Sequence, residues 1–113
     1  MKAYHYSTIS ADPVEGLPGV AIRLAIGKNV GAPNFVMRVI DVEPGSATGY
    51  HTHPWEHEAF ILEGEGTVRD ANGETPVVPG SCIYVEPNEI HQFINTGSSI
   101  LRFICVIPYP PED

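Results

Sequence analysis

The sequence predicts an all-β domain, a sandwich or barrel of many short strands, and three observations predict it. Eleven prolines spread from Pro13 to Pro111, and eleven glycines fall mostly between them. Helix interiors tolerate neither residue well, which excludes a helix bundle. Apolar residues alternate with a period of two, the repeat of a strand with one buried face. Turn-forming pairs punctuate these runs at short, regular spacing.

Each element follows from its own residues. Val20, Ile22, Leu24 and Ile26 alternate with Ala21, Arg23 and Ala25. The runs 35–42, 59–62, 82–85 and 100–107 are rich in β-branched and aromatic residues and read as strands. In the last run Leu101, Phe103, Cys105 and Ile107 share one face and Arg102 takes the other. A guanidinium belongs in solvent, so the first set faces inward. Pro44-Gly45, Gly64-Glu65-Gly66, Pro79-Gly80, Pro87-Asn88 and Asn95-Thr96-Gly97 break the strands. Asn72-Gly73 predicts a two-residue hairpin turn of type I′, which needs positive φ at both central positions.

The 113 residues make a single domain of 12.3 kDa. Fourteen acidic against six basic residues give a net charge of −8 and a pI near 4.9. That balance, with no basic stripe, argues against nucleic acid or an anionic membrane as partner. Met1–Ser10 holds no apolar leader core, and the longest wholly apolar stretch, Phe103–Pro108, falls far short of the ~20 residues of a spanning helix. A soluble, cytoplasmic protein is the expectation. Cys82 and Cys105 do not make a disulfide framework and are expected as buried free thiols. Neither a Gly-rich phosphate loop nor a Ser-His-Asp arrangement offers another chemistry.

Four of the five histidines fall between positions 51 and 91. On an extended chain residues i and i+2 point to one side, so His51 and His53 can offer two imidazoles to one ion. Pro54-Trp55-Glu56 can turn the chain and bring in His57 from an adjoining strand, and His91 opens a later strand. Four neutral nitrogens converging in an apolar interior suit a divalent transition metal. His5 lies in a polar N-terminal stretch and stands apart.

Gly45, His51-Thr52-His53, His57 and Gly64 resemble, in order and spacing, the first motif of the cupin superfamily. Gly80, Pro87-Asn88-Glu89-Ile90-His91 and Asn95 resemble the second, and fifteen residues separate the two motifs. The first motif usually carries Glu where this chain has His57, and Glu58 stands one place later, on the opposite face of a strand. Asn88 and Glu86 depart from the Gly and Pro of many second motifs, but Asn accepts the turn's positive φ. The phrases at 32–38, 53–58 and 85–91 are similar to a small single-domain subgroup with four histidine ligands, whose characteristic metal is manganese. The resemblance implies a double-stranded β-helix, or jelly-roll, barrel. Its motif-bearing core spans 34–107, with N-terminal strands in 1–33 and an extended tail at 108–113. It also implies a homodimer joined through the N-terminal strands. The implied metal ligands are His51, His53, His57 and His91, with Glu58 the alternative to His57.

Imidazole in place of a carboxylate leaves the ion its full charge, which favours the divalent state and strengthens its pull on a bound oxygen donor. Manganese is the expected ion, with Fe, Ni, Co, Cu and Zn as further candidates. Glu56 and Glu58 are candidate acceptors for a ligand's distal ring N–H, or solvated turn carboxylates. Trp55 caps the mouth of the site or packs beneath the turn. Phe93, Phe103 and Cys105 line a substrate pocket or simply fill the barrel. The expected function is a metal-dependent oxidoreductase, of oxygenase or peroxide-using type, acting on a small organic molecule. A Lewis-acid isomerase or lyase, and a non-catalytic metal- or metabolite-binding protein, are the alternatives.

Overall fold

A computed structural model describes residues 1–110; the end of the expected tail, 111–113, lies outside the described residues. The strands are β1 (Asp12–Pro13), β2 (Val20–Ile26), β3 (Phe35–Val42), β4 (His57–Glu63), β5 (Gly66–Asp70), β6 (Gly73–Val77), β7 (Cys82–Val85), β8 (Gln92–Ile94) and β9 (Leu101–Pro108). Short 3₁₀ turns occupy Tyr6–Thr8 and Lys28–Val30. No helix among the described residues is long and apolar enough to cross a membrane.

Two antiparallel sheets enclose the core. The larger runs β1-β2-β3-β9-β4-β7 and the smaller β6-β5-β8. No continuous ladder closes them into a barrel among the described residues. Isolated bridges Ala47–Ile94 and His51–His91 lace one edge instead, in keeping with a jelly roll. Val36, Ile40, Val42, Ile61, Leu101, Phe103 and Ile107 of the large sheet meet Val77 and Phe93 of the small one. The alternation read in β9 holds: Leu101, Phe103, Cys105 and Ile107 are buried, and Arg102 faces out.

On that outer face Arg102 makes two bonds to Asp41, at 2.7 and 3.1 Å, and reaches Glu63 at 3.1 Å. Arg23 meets Asp41 at 2.9 Å. Burial raises the Asp41 carboxyl, but the two guanidiniums outweigh it and hold the group below its ordinary value. Tyr6 accepts a hydrogen bond from Arg102 at 2.8 Å and lays its ring against both arginines, which ties the N-terminal segment to the sheet.

Two local expectations fail and a third holds. Cys82 is exposed rather than buried: it pairs with Phe60 on the outward row of β4. The β5–β6 hairpin forms, but Asp70 pairs with Gly73, so Ala71 and Asn72 occupy the turn. Asn72 has no positive φ, and the Asp70 carboxylate accepts its N–H at 2.8 Å, so an Asx turn replaces the type I′ turn. Asn88 does adopt the left-handed conformation, at φ 67°.

Asn95 ties the sheets together. Its side chain is fully buried and donates to the carbonyls of Val42 and Ser99, both at 2.8 Å, while its oxygen accepts from the Gly97 N–H at 2.9 Å. Gly64 reaches φ 83° with its backbone against Ile100, where an added Cβ would stand 2.2 Å from that carbonyl oxygen. Asn95→Ala strands two carbonyls and one N–H, so we expect a loss of about 3 kcal/mol in urea unfolding; a change under about 1 kcal/mol would show that this amide does not join the sheets.

Candidate metal centre

The long connection from β3 to β4 carries two of the four histidines. It is held to the small sheet by Thr48, whose backbone N–H donates to the Phe93 carbonyl at 2.9 Å and whose hydroxyl accepts the Phe93 N–H at 2.9 Å. His51 and His91 then exchange backbone hydrogen bonds at 3.3 and 3.2 Å. His51 and His53 therefore sit on a bridged loop rather than on a strand. His57 is the first residue of β4 and faces inward, and His91 immediately precedes β8.

The ligand atoms of His51, His53 and His91 all lie within 4.8 Å of one another. Nitrogens sharing one ion at about 2.1 Å stand about 3 Å apart when adjacent and about 4.2 Å apart when opposite, so atoms within 4.8 Å of one another lie close to those separations, and a shared cation would draw them slightly together. His57 is outside that group of three, but its ring centroid lies 4.8 Å from that of His91 and 5.1 Å from that of His53.

Tautomers can be read from the neighbours. His91 Nδ1 is 2.9 Å from the Glu89 carbonyl, which only accepts, so Nδ1 carries the proton and Nε2 presents its lone pair. His57 Nδ1 lies 3.3 Å from Cys105 Sγ, and its Nε2 is buried with no hydrogen-bond partner. A buried orphan nitrogen beside three converging imidazoles fits a cation as its missing partner. Gly49 leaves room for the His51 ring, since an added Cβ would stand 2.5 Å from its Nδ1. The Trp55 indole stacks on His53 at 4.7 Å and 12°.

Burial lowers the basicity of His51, with His91 adding to it, and of His53, with His51, His91 and Arg38 adding to it. Burial, then the charges of His91 and Arg38, pushes His57 down to about 3. These three rings stay neutral at pH 7 and keep the lone pairs a metal needs. Burial also pushes the Cys105 thiol up, against the opposing pull of Arg38.

A cavity of about 230 Å³ opens onto the histidines. Phe93, Phe103 and Cys105 line it, and the two phenyl rings stack at 4.3 Å and 11°. Trp55 packs against the core beneath the turn and is not among the lining residues. Neither glutamate serves the ligands: Glu56 is exposed, and Glu58 points outward across from Tyr84 and Val106. Both carboxylates follow the solvated alternative, and the Glu89 carbonyl and Cys105 sulfur lie against the outer ring nitrogens instead. Arg38, which sequence reasoning did not single out, lines the same cavity. Its signal was present: the β3 alternation places it in the inward row with Val36, Ile40 and Val42.

Comparison with known proteins agrees with this architecture. A family model described as a cupin domain matches residues 38–107. An oxalate-binding protein of Thermotoga maritima is 38% identical over 65 residues, 57% of this chain and 54% of that protein, so the match spans about half the length of this curated relative. The polyketide cyclase RemF from Streptomyces resistomycificus superposes with a TM-score of 0.89 at 31% identity, covering 96% of this chain and 79% of that one. A predicted oxalate decarboxylase from Thermotoga maritima superposes at 0.84 with 25% identity, covering 95% and 98%.

The depressed histidines set the sign of a pH effect. Their contribution to stability is fully present above about pH 6.5, the unfolded value, and is lost as pH falls toward the folded values. In metal-free protein we expect His57→Gln to flatten the stability profile between about pH 6 and 4 by up to one proton's slope, about 1.4 kcal/mol per pH unit. An unchanged profile would mean that His57 titrates normally. In calorimetric titration with Mn²⁺, His57→Ala should weaken binding about tenfold or more and Glu58→Ala should leave it unchanged. The reverse order would make Glu58 the ligand.

Proposed function

The chain belongs to the cupin domain family, and from that premise we propose that it is a metal-dependent oxidoreductase, using dioxygen or peroxide on a small organic substrate. The observation that carries the reading is a cluster of four imidazoles opening onto a largely apolar cavity lined by no carboxylate. His51, His53, His57 and His91 would hold the ion, and manganese is the metal we propose. When bound, the ion would supply a redox couple and Lewis acidity toward an oxygen donor.

The chain's own residues do the rest. The Glu89 carbonyl accepts from His91 Nδ1, which leaves the His91 Nε2 lone pair for the ion, and Cys105 Sγ lies against His57 Nδ1, where accepting its proton would free His57 Nε2 in the same way. Trp55 fixes the plane of the His53 ring by stacking. Phe93 and Phe103 exclude water and give the substrate an apolar wall on which to orient. Proton-transfer chemistry would want a carboxylate base within hydrogen-bond reach, and the cavity-lining residues include none.

A second reading has its own support. The similarity to a polyketide cyclase over 96% of this chain favours Lewis-acid ring closure or a related non-redox step. One experiment separates the two. Protein loaded with Mn²⁺, Fe²⁺ or Zn²⁺ is offered a panel of small aromatic and unsaturated substrates, with and without oxidant, and the products are identified by mass spectrometry. The oxidoreductase reading expects oxygenated products with Mn²⁺ or Fe²⁺ only, requiring oxidant and lost in His91→Ala. Equal turnover without oxidant, with Zn²⁺ accepted, would replace it with the second reading.

A further inference from the structure

Arg38 is out of place by the usual rule for an inward-facing strand position. It sits in the core-facing row of β3, directly across from Cys105 of β9, and lines the cavity. Its one hydrogen bond among the described residues runs from Nη2 to Cys105 Sγ at 3.2 Å. Its Nε is buried with no partner. Arg23 and Arg102, by contrast, are paired with Asp41 on the outside of the sheet.

The charge around Arg38 is unbalanced. No Asp, Glu or Lys is among the lining residues, so no carboxylate there offsets its charge. With a divalent ion at the histidines the cavity would hold several positive charges against low-dielectric walls, an arrangement that favours an anionic occupant strongly. A guanidinium with uncommitted donors suits a planar carboxylate. The remaining walls restrict the rest of such a ligand. Val14, Leu17, Ile22, Ile40, Phe93 and Phe103 offer no hydrogen bond from their side chains, and about 230 Å³ is below the ~300–1,000 Å³ typical of drug-sized sites.

We propose that Arg38 is a substrate-anchoring residue and that the substrate is a small carboxylate with an apolar, aryl or branched alkyl, body. The carboxylate lies against the guanidinium, and the body packs on the phenyl stack. The proposal rests on the metal-site reading for the second source of positive charge, while Arg38 supplies the first. The apolar walls separate this substrate class from oxalate, which has no apolar part to bury there.

The test measures binding rather than turnover. Phenylacetate, its neutral counterpart phenylacetamide, and oxalate are titrated into metal-free and Mn²⁺-loaded protein by calorimetry, using the full chain, Arg38→Gln and Arg38→Lys. Manganese affinity is measured separately for each variant. We expect phenylacetate to bind more tightly than phenylacetamide or oxalate. Arg38→Gln should weaken phenylacetate about tenfold or more while leaving phenylacetamide unchanged, and Arg38→Lys should restore part of the loss. Manganese affinity should be retained in both variants. Phenylacetate binding that ignores Arg38→Gln, or a preference for oxalate, overturns the proposal. If Arg38→Gln does not fold, Arg38→Lys decides: the preference for phenylacetate over phenylacetamide is expected to narrow but persist, and a preference left unchanged by the altered donor geometry overturns the anchoring role. A wild-type chain that fails to bind manganese overturns the metal reading alone, because the metal-free titrations still report on Arg38.

Discussion

The two backbone hydrogen bonds between His51 and His91 are the constraint on which the rest of the structure depends. They join the long β3–β4 connection to the segment entering β8, and so bring residues forty positions apart in the chain into one site. The bridged residues are themselves two of the clustered imidazoles. A loop of this length would otherwise sample many conformations, and the entropy of ordering it must be offset by contacts with the rigid sheets. The Thr48 contacts to Phe93 and the Ala47–Ile94 bridge provide them just upstream. Asn95 then carries the same edge back to the end of β3. Fold stability and site geometry are therefore built on one seam.

That seam explains the electrostatics. Rings brought together beneath two sheets lose water, and each disfavours a proton on the others, so His51, His53 and His57 stay neutral where exposed imidazoles would begin to charge. The partners of the outer nitrogens are a backbone carbonyl and a thiol, neither carrying a full negative charge at neutral pH. The acidic character of the chain stays outside: Asp41 and Glu63 are matched by arginines on the outer face, and Glu56 and Glu58 point to solvent. A protein with a net charge of −8 thus lines this cavity with the cation of Arg38 and, among the described residues, with no carboxylate.

Much of this was legible in the sequence because it is written in periodicity and spacing. The strand alternation of 20–26, 35–42 and 101–107 reports which faces are buried, and the histidine spacing reports the cluster. The parity that turns Glu58 away from His57 was also readable. What was not readable depends on contacts distant in the chain. Cys82 looks buried from its apolar neighbours, yet its row on β7 is set by pairing with β4. The hairpin turn slipped by one residue because the Asp70 side chain offers a local hydrogen bond that outcompetes the turn favoured by Asn-Gly. The Glu89 carbonyl has no sequence signature as a histidine partner, being main chain. Arg38 was visible as a charge in an apolar row, but its meaning appears only when β9 sets Cys105 opposite it.

The central claim is that four imidazoles, including His57, share one cation. The most direct measurement is a crystal structure of manganese-loaded protein with anomalous diffraction collected across the manganese edge. The account predicts one anomalous peak among the rings, bonded by a nitrogen from each of His51, His53, His57 and His91, with Nε2 the bonding atom of His57 and His91. A peak elsewhere, or one held by three histidines with His57 Nε2 left free, would contradict it.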